Sequence, residues 1–352
     1  MIMDFTKYTT DAVELLQSLI KTPSVSRNES AAADIMENAV RNYGFSPERI
    51  GNNVLAIDPQ FEEGRETILL NAHIDTVKPV DSWTRDPFLP TIEGDILYGL
   101  GSNDCGGGLV SLLQAFRILT AEKNKSRNYV FLASCEEEVS GKNGFTLALP
   151  HLPEIDVAVV GEPTGMQPAI AEKGLMVCDL IAHGVSGHAA RDEGVNAIYE
   201  ALDDLNFIRS YQFEKVSPLL GATKMTVTVI NAGTQHNVVP DRCEMLLDVR
   251  TNEYYTNESI YEFLAERLKC EVHAHSFRLQ SSHISPDHPL IKKCVSMGKT
   301  PFGSPTLSDQ ALMPFLSFKL GPGESSRSHS ANEFIRISEI SDAIHTYCEL
   351  LG

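Results

Sequence analysis

The sequence predicts an α/β fold: a mixed, mostly parallel sheet with helices on both faces, interrupted by an inserted ferredoxin-like α+β domain. Three short and almost wholly apolar runs predict the sheet, as expected of strands that helices cover on both faces: residues 67–70, 129–132 and 157–160. Residues 108–123 carry apolar side chains at helical spacing, so this helix would cross over between the first two strands. The pattern changes near Lys173 and Gly174, which predicts the second domain.

Helices are also predicted at both ends of the chain. Two precede the first strand, at 11–21 and 30–42, and Gly44 suits the position just after the second, where a left-handed glycine commonly ends a helix. After residue 287 we expect a helix at 289–297, a loop rich in glycine, proline and serine at 321–330, and a terminal helix at 338–351. These last pieces are too small for a core of their own and should return to the first domain.

The middle of the chain has the order β-α-β-β-α-β, which is typical of a ferredoxin-like unit. The predicted elements are a strand at 176–182, a helix at 196–211, strands at 224–231 and 242–250, a helix at 258–269 and a strand at 271–277. The predicted domains are therefore a discontinuous α/β domain, 1–172 with 280–352, and an inserted domain, 173–279.

The composition favours a small-molecule partner. The 352 residues include 29 basic and 47 acidic side chains, a formal charge of −18, which would repel nucleic-acid phosphates and anionic lipid. No lysine or arginine cluster reverses this locally, so we expect neither nucleic-acid nor membrane binding. The seven cysteines form no C-x-x-C pair, since the nearest two are 24 residues apart, which predicts reduced, mostly buried thiols.

The location that the sequence favours is the cytoplasm. No run approaches the ~18 consecutive apolar residues that a membrane-spanning helix needs. The first four residues, Met1 to Asp4, also lack the basic start of a secretory signal.

Polar side chains follow the predicted parallel strands where each one ends. The residues are His73 and Asp75, Asp104 in a glycine-rich loop, Glu136 to Glu138, and Glu162. Because ligands of open α/β sheets bind beyond the carboxyl ends of the strands, these four loops should converge in one crevice. Imidazole and carboxylates without thiolates suit Zn²⁺, with Co²⁺ or Mn²⁺ also possible.

Each of these signals has an ordinary alternative. A lone histidine at a strand end is commonly a satisfied polar residue, and a run of glutamates is commonly a solvated acidic turn. Their shared placement favours a metal site, because carboxylates crowded at one edge of a sheet repel one another unless cations hold them.

Seven motifs resemble, in order and spacing, the di-zinc aminoacylase and deacylase family of M20 type, which contains acetylornithine deacetylase and succinyl-diaminopimelate desuccinylase. The match runs from about Ser18 to Leu350. The motifs are His73-Ile74-Asp75, Asp104 with its glycine-rich flanks, Glu137-Glu138, Gly161-Glu162-Pro163-Thr164, Gly187-His188-Ala189, Asn237-Val238-Val239-Pro240 with Asp248-Val249-Arg250, and Ser328-His329 with Glu333.

The resemblance implies two divalent metal ions, zinc being expected. It assigns His73 and Glu162 to one metal. It assigns Glu138 and His329 to the other, with Asp104 as the bridging carboxylate.

The resemblance also implies the roles of the neighbouring acids. Asp75 would accept the second N–H of His73 and so fix its tautomer. Glu137 would be the general base, which takes a proton from water and returns it to the leaving amine. This register aligns Glu136 with the aspartate that the family usually carries there, and a shift of one residue would give these roles to Glu136 and Glu137.

Two further features bear on the Asp104 loop. Cys105 and Gly106 depart from the family, where a larger residue and a lysine commonly follow the bridging aspartate. The family also implies a cis peptide bond after Asp104. Asp309 and Gly323 fit its C-terminal pattern as positioning residues.

For the inserted domain, the resemblance implies a lid that also forms a homodimer. His188 would donate to the oxyanion in a neighbouring subunit's site, or alternatively be a structural histidine of a glycine-rich turn. Asn237 and Arg250 would bind substrate, since arginine can hold a carboxylate through two hydrogen bonds. An ordinary ion pair is the alternative for Arg250.

The activity that follows is hydrolysis of the amide of an N-acyl amino acid, with N-acetylornithine as the leading substrate. Other deacylases of the same chemistry stay open: succinyl-diaminopimelate desuccinylase, an N-succinylornithine or N-acetylcitrulline deacylase, and a dipeptidase. From another class, a non-catalytic binding relative would require a broken metal shell, whereas all the ligand positions here carry competent residues.

Overall fold

The computed structural model describes residues 5–122, 125–191 and 193–352, and the chain divides into two compact units. The first unit comprises the described residues up to 170 together with 284–302 and 308–352. The second comprises 171–283 and 303–307. No helix of the described residues is long and apolar enough to cross a membrane.

Eight α-helices and sixteen strands make up the described chain. The helices are α1 (Thr6–Ile20), α2 (Ser30–Asn42), α3 (Gly107–Thr120), α4 (Phe145–Ala148), α5 (Ala197–Ser210), α6 (Asn257–Arg267), α7 (Pro289–Ser296) and α8 (Ile337–Leu351). The strands are β1 (Glu48–Ile50), β2 (Asn53–Ile57), β3 (Thr67–His73), β4 (Thr91–Glu93), β5 (Ile96–Tyr98), β6 (Asn128–Ser134), β7 (Val157–Val160), β8 (Ala169–Glu172), β9 (Met176–His183), β10 (Lys224–Ala232), β11 (Arg242–Arg250), β12 (Glu271–Ala274), β13 (Ser282–His283), β14 (Phe302–Ser304), β15 (Leu316–Lys319) and β16 (Phe334–Arg336).

The predicted fold class is confirmed. The main sheet has the order β1-β2-β6-β3-β7-β15-β8-β13, with β14 beside β8, and its centre, from β6 to β15, is parallel. Every residue of β3, β6 and β7 is buried, which explains their unbroken apolar character. Strands β4, β5 and β16 form a separate small sheet.

Helices cover both faces of the central strands. On one face α3 packs against α1 and α8, and Phe116 of α3 meets Phe131 of β6. On the other face Leu69 and Leu132 form an apolar cluster with Phe145 of α4. Burying side chains of this size contributes about 1.5–3 kcal/mol each, so the centre of the sheet is the stable platform of the unit.

The helix ends differ slightly from those predicted. The helix α2 closes as expected, with Gly44 in the left-handed region at a φ of 92°. The helix α3 ends at Thr120, and Lys123, its predicted last residue, lies outside the described residues, as do Met1 to Asp4.

The second unit is a four-stranded antiparallel sheet, β10-β11-β9-β12, with α5 and α6 in the predicted β-α-β-β-α-β order. Asn196 caps α5 by accepting the N–H of Ile198 at 2.9 Å. The last strand ends at Ala274 instead of the predicted residue 277. Periodicity also gave no prediction for the short strands, such as β1 and β16, because two or three residues contain too little of a pattern.

Candidate metal centre

Seven of the sequence-predicted site residues come together at the carboxyl edge of the parallel strands in the first unit. His73 ends β3, Glu137 and Glu138 lie on a 3₁₀ turn after β6, and Glu162 follows β7. The remaining three are Asp75, Asp104 in the loop before α3, and His329 in the loop before β16. The three loops that follow β3, β6 and β7 therefore converge with the Asp104 loop, because parallel strands end at one edge.

The Asp104 carboxylate lies between the two histidines of this cluster. Its Oδ1 is 3.3 Å from Nε2 of His73, and its Oδ2 is 3.5 Å from Nε2 of His329. Each oxygen of one carboxylate thus faces a different imidazole, an arrangement that suits a bridging ligand.

The other glutamates divide between the same two histidines. Nε2 of His329 lies 2.9 Å from Oε2 of Glu138, whereas Nε2 of His73 lies 3.7 Å from Oε1 of Glu162. Oε2 of Glu137 is 3.9 Å from His73, beyond hydrogen-bonding distance. The centre therefore has two halves that share Asp104, with Glu137 beside them.

The chemistry of these donors fits divalent cations. The described part of the chain contains two sets of three residues whose donor atoms all lie within 4.8 Å of one another. One set is His73, Cys105 and Glu162, and the other is His73, Asp104 and Glu138. Oε1 of Glu162 is buried without a hydrogen-bond partner, which is costly for a carboxylate unless a cation binds it. Nitrogen and oxygen donors in such a cluster suit zinc, cobalt or manganese.

The predicted role of Asp75 is corrected by the structure. Nδ1 of His73 bonds to the main-chain oxygen of Asp75 at 2.8 Å, whereas the carboxylate Oδ1 is 3.6 Å away. The tautomer of His73 is therefore fixed by a carbonyl group. The carboxylate of Asp75 instead accepts the N–H groups of Glu137 and Glu138 at 3.0 and 3.2 Å and the hydroxyl of Ser26 at 2.7 Å.

The geometry of the acidic turn favours the register in which Glu137 and Glu138 face the centre. Glu136 adopts left-handed backbone angles, with a φ of 54°, and its buried side chain accepts hydrogen bonds from Asn143. Ser140 closes the turn with a φ of 45°. Such conformations cost non-glycine residues on the order of 1 kcal/mol each, so the surrounding contacts must hold the turn in place.

Glu333 holds the loop that carries Asp104. Its buried carboxylate accepts the main-chain N–H groups of Gly101, Asn103 and Asp104 at 2.8–2.9 Å. The peptide bond between Asp104 and Cys105 is cis, as expected. Burial raises the pKa of Glu333 to about 7 although these N–H groups favour its charged form. The sequence singled out Glu333 as part of a motif but indicated no partner for it.

Burial and crowding dominate the electrostatics of the centre. Burial raises the pKa of Glu137 and takes that of Glu162 to about 8, in both cases against the attraction of His73. The hydrogen bond to Glu138 raises the pKa of His329 to about 9. Burial lowers the pKa of His73, but the charged and hydrogen-bonding groups around it raise it well above its ordinary value.

Cys105 lies inside the centre, which the cysteine count alone could not indicate. Its Sγ accepts the N–H of His73 at 3.3 Å, and burial raises the pKa of its thiol to about 12. The thiol is therefore protonated at neutral pH, and the residue contributes mainly packing and a weak hydrogen bond.

Sequence reasoning missed one charged residue of the first unit, Lys319. It lies on β15 and is 2% exposed. The available signal was a lysine inside the otherwise strand-like run Leu316 to Leu320, which is an unusual residue for a strand buried on both faces.

In the second unit, the structure brings His188 and Asn237 together. Ala189 donates its N–H to the main-chain oxygen of Asn237 at 3.0 Å, and His188 pairs with Val238 across a β-bridge. Both residues lie in loops near the start of β11 and are exposed.

Arg250 is not near these two residues within its own chain. It ends β11, whose nine residues span roughly 27 Å at ~3.3 Å per residue, and Asn237 precedes the start of that strand. Its guanidinium binds the Asp248 carboxylate through two hydrogen bonds of 2.9 and 3.1 Å. The ordinary ion pair considered as the alternative is thus present in this structure.

Glu333→Gln tests the support of the Asp104 loop. An amide oxygen can accept only part of the three N–H groups, so the variant should lose about 1–3 kcal/mol of unfolding free energy at pH 8 and bind zinc about tenfold more weakly. Urea denaturation and zinc titration measure the two effects. The exposed Glu349→Gln is the matched control and should change stability by less than ~0.5 kcal/mol. Wild-type values for Glu333→Gln would refute this support role.

The metal-free protein should become less stable as the pH rises. The pKa values of Glu162 and His329 increase on folding, from 4.5 to about 8 and from 6.5 to about 9, so the native state binds more protons than the unfolded chain in this window. Stability therefore falls with rising pH between these limits.

Divalent cations would replace those protons, so zinc-loaded protein should lose less stability. We expect the difference in Tm between zinc-loaded and chelator-treated protein to grow from about pH 5 to about pH 8.5. A difference that is constant or shrinks over this range would contradict the prediction.

Solved structures of peptidases share this fold. The aminopeptidase PepT from Bacillus cereus is 17% identical, with a TM-score of 0.77 over 97% of this chain and 98% of that chain. A tripeptidase from Staphylococcus aureus is 18% identical, with a TM-score of 0.75 over 97% of both chains. The YXEP protein of Bacillus subtilis, a dinuclear metal binding peptidase from the M20 family, is 16% identical, with a TM-score of 0.75 over 99% and 98%.

The sequence itself identifies the family. The model of peptidase family M20/M25/M40 matches residues 69–352, which include every residue of the centre described above. The two-halved donor cluster resembles a dinuclear site, and the YXEP protein is named as a dinuclear metal binding peptidase of the M20 family. The chain therefore belongs to peptidase family M20/M25/M40 and is a metal-dependent hydrolase of that family.

Proposed function

We propose that this hydrolase cleaves the amide bond of an N-acyl amino acid, with N-acetylornithine as the leading substrate and arginine biosynthesis as its setting. The observation that carries the reaction class is the shared Asp104 carboxylate, whose two oxygens face His73 and His329 while Glu137 lies beside them. The motifs of the acetylornithine deacetylase and succinyl-diaminopimelate desuccinylase branch support the substrate class.

Ligand roles follow from the two halves. His73 and Glu162 would hold one cation, Glu138 and His329 the other, and Asp104 would bridge them. When bound, two divalent cations polarise the scissile carbonyl and lower the pKa of the attacking water.

Glu137 would move the proton. Its Oε2, the oxygen nearer His73, takes a proton as the water oxygen bonds to the carbonyl carbon, and delivers it to the amine nitrogen as the C–N bond breaks. The hydrogen bond between Asp75 and the main-chain N–H of Glu137 keeps this side chain beside the centre. Burial, which raises the pKa of Glu137, makes it a better proton acceptor than an exposed carboxylate.

His188 would stabilise the oxyanion in the site of a partner subunit. Its Nδ1 accepts the N–H of Ala190 at 3.1 Å, which places the proton of the neutral ring on Nε2, where it can be donated. Asn237, which lies beside it, and Arg250 would bind the substrate, with Arg250 exchanging Asp248 for a substrate carboxylate.

A peptide is the second candidate substrate, and the solved relatives favour it. Besides the aminopeptidase and the tripeptidase, they include a metallo-carboxypeptidase of the M20 family from Sulfolobus solfataricus, 18% identical with a TM-score of 0.72 over 97% of this chain and 98% of that chain. The succinylated substrates of the same branch are further alternatives. The proposed location is the cytoplasm, which fits seven cysteines that all carry free thiols.

We also propose a homodimer through the second unit. The strand β10 is at an edge of its sheet, and Val229 and Ile230 on it are 43% and 53% exposed. Exposed apolar residues on an unpaired edge favour pairing with another strand. Ile230→Glu should therefore convert a dimer into a monomer in sedimentation experiments, whereas Val295→Glu, at an exposed position of the first unit, should not. A wild-type monomer would contradict this part of the proposal.

The substrate is tested by comparing kcat/KM for N-acetylornithine, N-succinylornithine, N-acetylcitrulline, succinyl-diaminopimelate and a dipeptide with zinc-loaded protein. We expect N-acetylornithine to exceed the dipeptide by at least about tenfold. A preference for the dipeptide would favour the second candidate, and negligible rates on every compound would refute the function.

Glu137→Ala is the matched variant for this assay. It should still bind two equivalents of zinc but lose at least about 100-fold in kcat, because the proton acceptor is removed while the ligands stay. Unchanged turnover would show that another residue of the acidic turn is the base.

A further inference from the structure

A buried lysine lies beside the metal centre, and the proposed reaction makes no use of it. Lys319 is 2% exposed on β15, a parallel neighbour of β7. A lysine ammonium is expensive to bury, so its retention at this position calls for a specific interaction.

The strand register places Lys319 behind Glu162. Lys319 is the parallel partner of Val160, and the N–H of Leu320 bonds to the oxygen of Val160 at 2.9 Å. Side chains of paired residues point to the same face of a sheet, and so does the residue two positions further along a strand. Lys319 therefore lies beside Val160 on a strand ~4.8 Å away, and Glu162 follows Val160 by two residues in the segment that continues from β7.

The two chain segments also approach each other closely beyond the strand ends. A Cβ atom on Gly321 would lie 2.4 Å from the main-chain oxygens of Gly161 and Glu162, so only glycine fits there. This contact fixes the separation between the segment that follows Lys319 and the segment that carries Glu162.

Polar side chains form a layer on this face, beneath the metal centre. Asn71 donates to the hydroxyl of Ser134 at 3.0 Å, and Ser134 donates to Asp309 at 2.6 Å. Apolar residues further back, such as Leu69 and Leu132, close the layer from below. With its side chain buried, Lys319 keeps its charge within this layer instead of extending to solvent.

Lys319 lies nearer one half of the centre, because β15 borders β7, which precedes Glu162, whereas β6, which precedes Glu138, lies two strands beyond β7 in the sheet. Its charge lowers the pKa of Glu162, against the larger effect of burial, whereas the cationic groups that act on Asp104 are His73 and His329. The charged groups that raise the pKa of His329 in the other half are the acids Glu138, Asp104 and Glu333.

We propose that Lys319 makes the two metal positions unequal, by placing a fixed positive charge behind Glu162 that weakens cation binding at the His73–Glu162 half. Coulomb repulsion between a unit charge and a divalent cation several ångströms away changes affinity by roughly tenfold or more at an effective dielectric constant near 20. This inference rests on the two-metal site of the proposed function. Its consequence is a tightly held cation at Glu138 and His329 and a more readily exchanged one at His73 and Glu162.

Zinc titration of metal-free full-length protein by calorimetry tests the proposal. Wild type should bind zinc in two steps of different affinity, and Lys319→Met should tighten the weaker step about tenfold while leaving the stronger one unchanged. Lys319→Arg, which keeps the charge, should restore the wild-type difference. Lys319→Gln is the second neutral variant should the methionine variant fail to fold, and it should behave in the same way.

One additional variant identifies the half of the centre that Lys319 affects, and another controls for the loss of a buried lysine. His329→Ala removes a ligand of the other half, so its remaining zinc step should report the His73–Glu162 half and should tighten when combined with Lys319→Met. Lys125→Met removes another buried lysine, one that pairs with Asp58 at 2.7 Å near the opposite end of β6, and should leave both steps unchanged.

Each result decides the matter. Neutral variants that bind zinc like wild type would overturn the proposal, and so would a Lys319→Arg variant that tightens the weaker step. A wild-type protein that binds no zinc would refute the proposed function itself, and this inference with it.

Discussion

The repulsion among carboxylates at the carboxyl edge of one parallel sheet is the constraint on which the centre depends. Asp104, Glu137, Glu138 and Glu162 lie around the buried imidazole of His73 and the more exposed one of His329, and burial raises the pKa values of Glu137 and Glu162. Protons or cations must relieve this repulsion, because the low-polarity surroundings screen it poorly. Metal binding and the stability of this edge of the sheet are therefore coupled.

Two further carboxylates hold the loops that carry the ligands, by accepting hydrogen bonds from main-chain N–H groups of those loops. Asp75 holds the turn of Glu137 and Glu138, and Glu333 holds the loop of Asp104. Neither carboxylate is placed as a donor to the cations. Charge-assisted hydrogen bonds of this kind are stronger than neutral ones, so they can hold the left-handed backbone of Glu136 in the acidic turn.

The charge of Lys319 in the layer beneath the centre would then set a difference in cation affinity between the two halves, which their ligands do not provide. The two halves offer similar donors, an imidazole and a glutamate each, with Asp104 in common. A lysine behind one glutamate is a way to distinguish them without altering a ligand. Asn237 and Arg250 lie at opposite ends of β11 within one chain. A small substrate therefore could not contact both residues of the same chain.

The sequence by itself determined the fold class, the crossover helix and the residue types of the centre, because apolar runs, glycines and strand-end acids are local patterns. It also placed His73, Glu138 and Glu162 after strands whose ends a parallel sheet must bring together. Only the tertiary structure decided that the Asp75 carboxylate bonds to the acidic turn instead of His73, that Glu333 supports Asp104, and that Lys319 lies behind Glu162. These depend on strand register and hydrogen-bond direction between segments distant in sequence, which no local periodicity encodes.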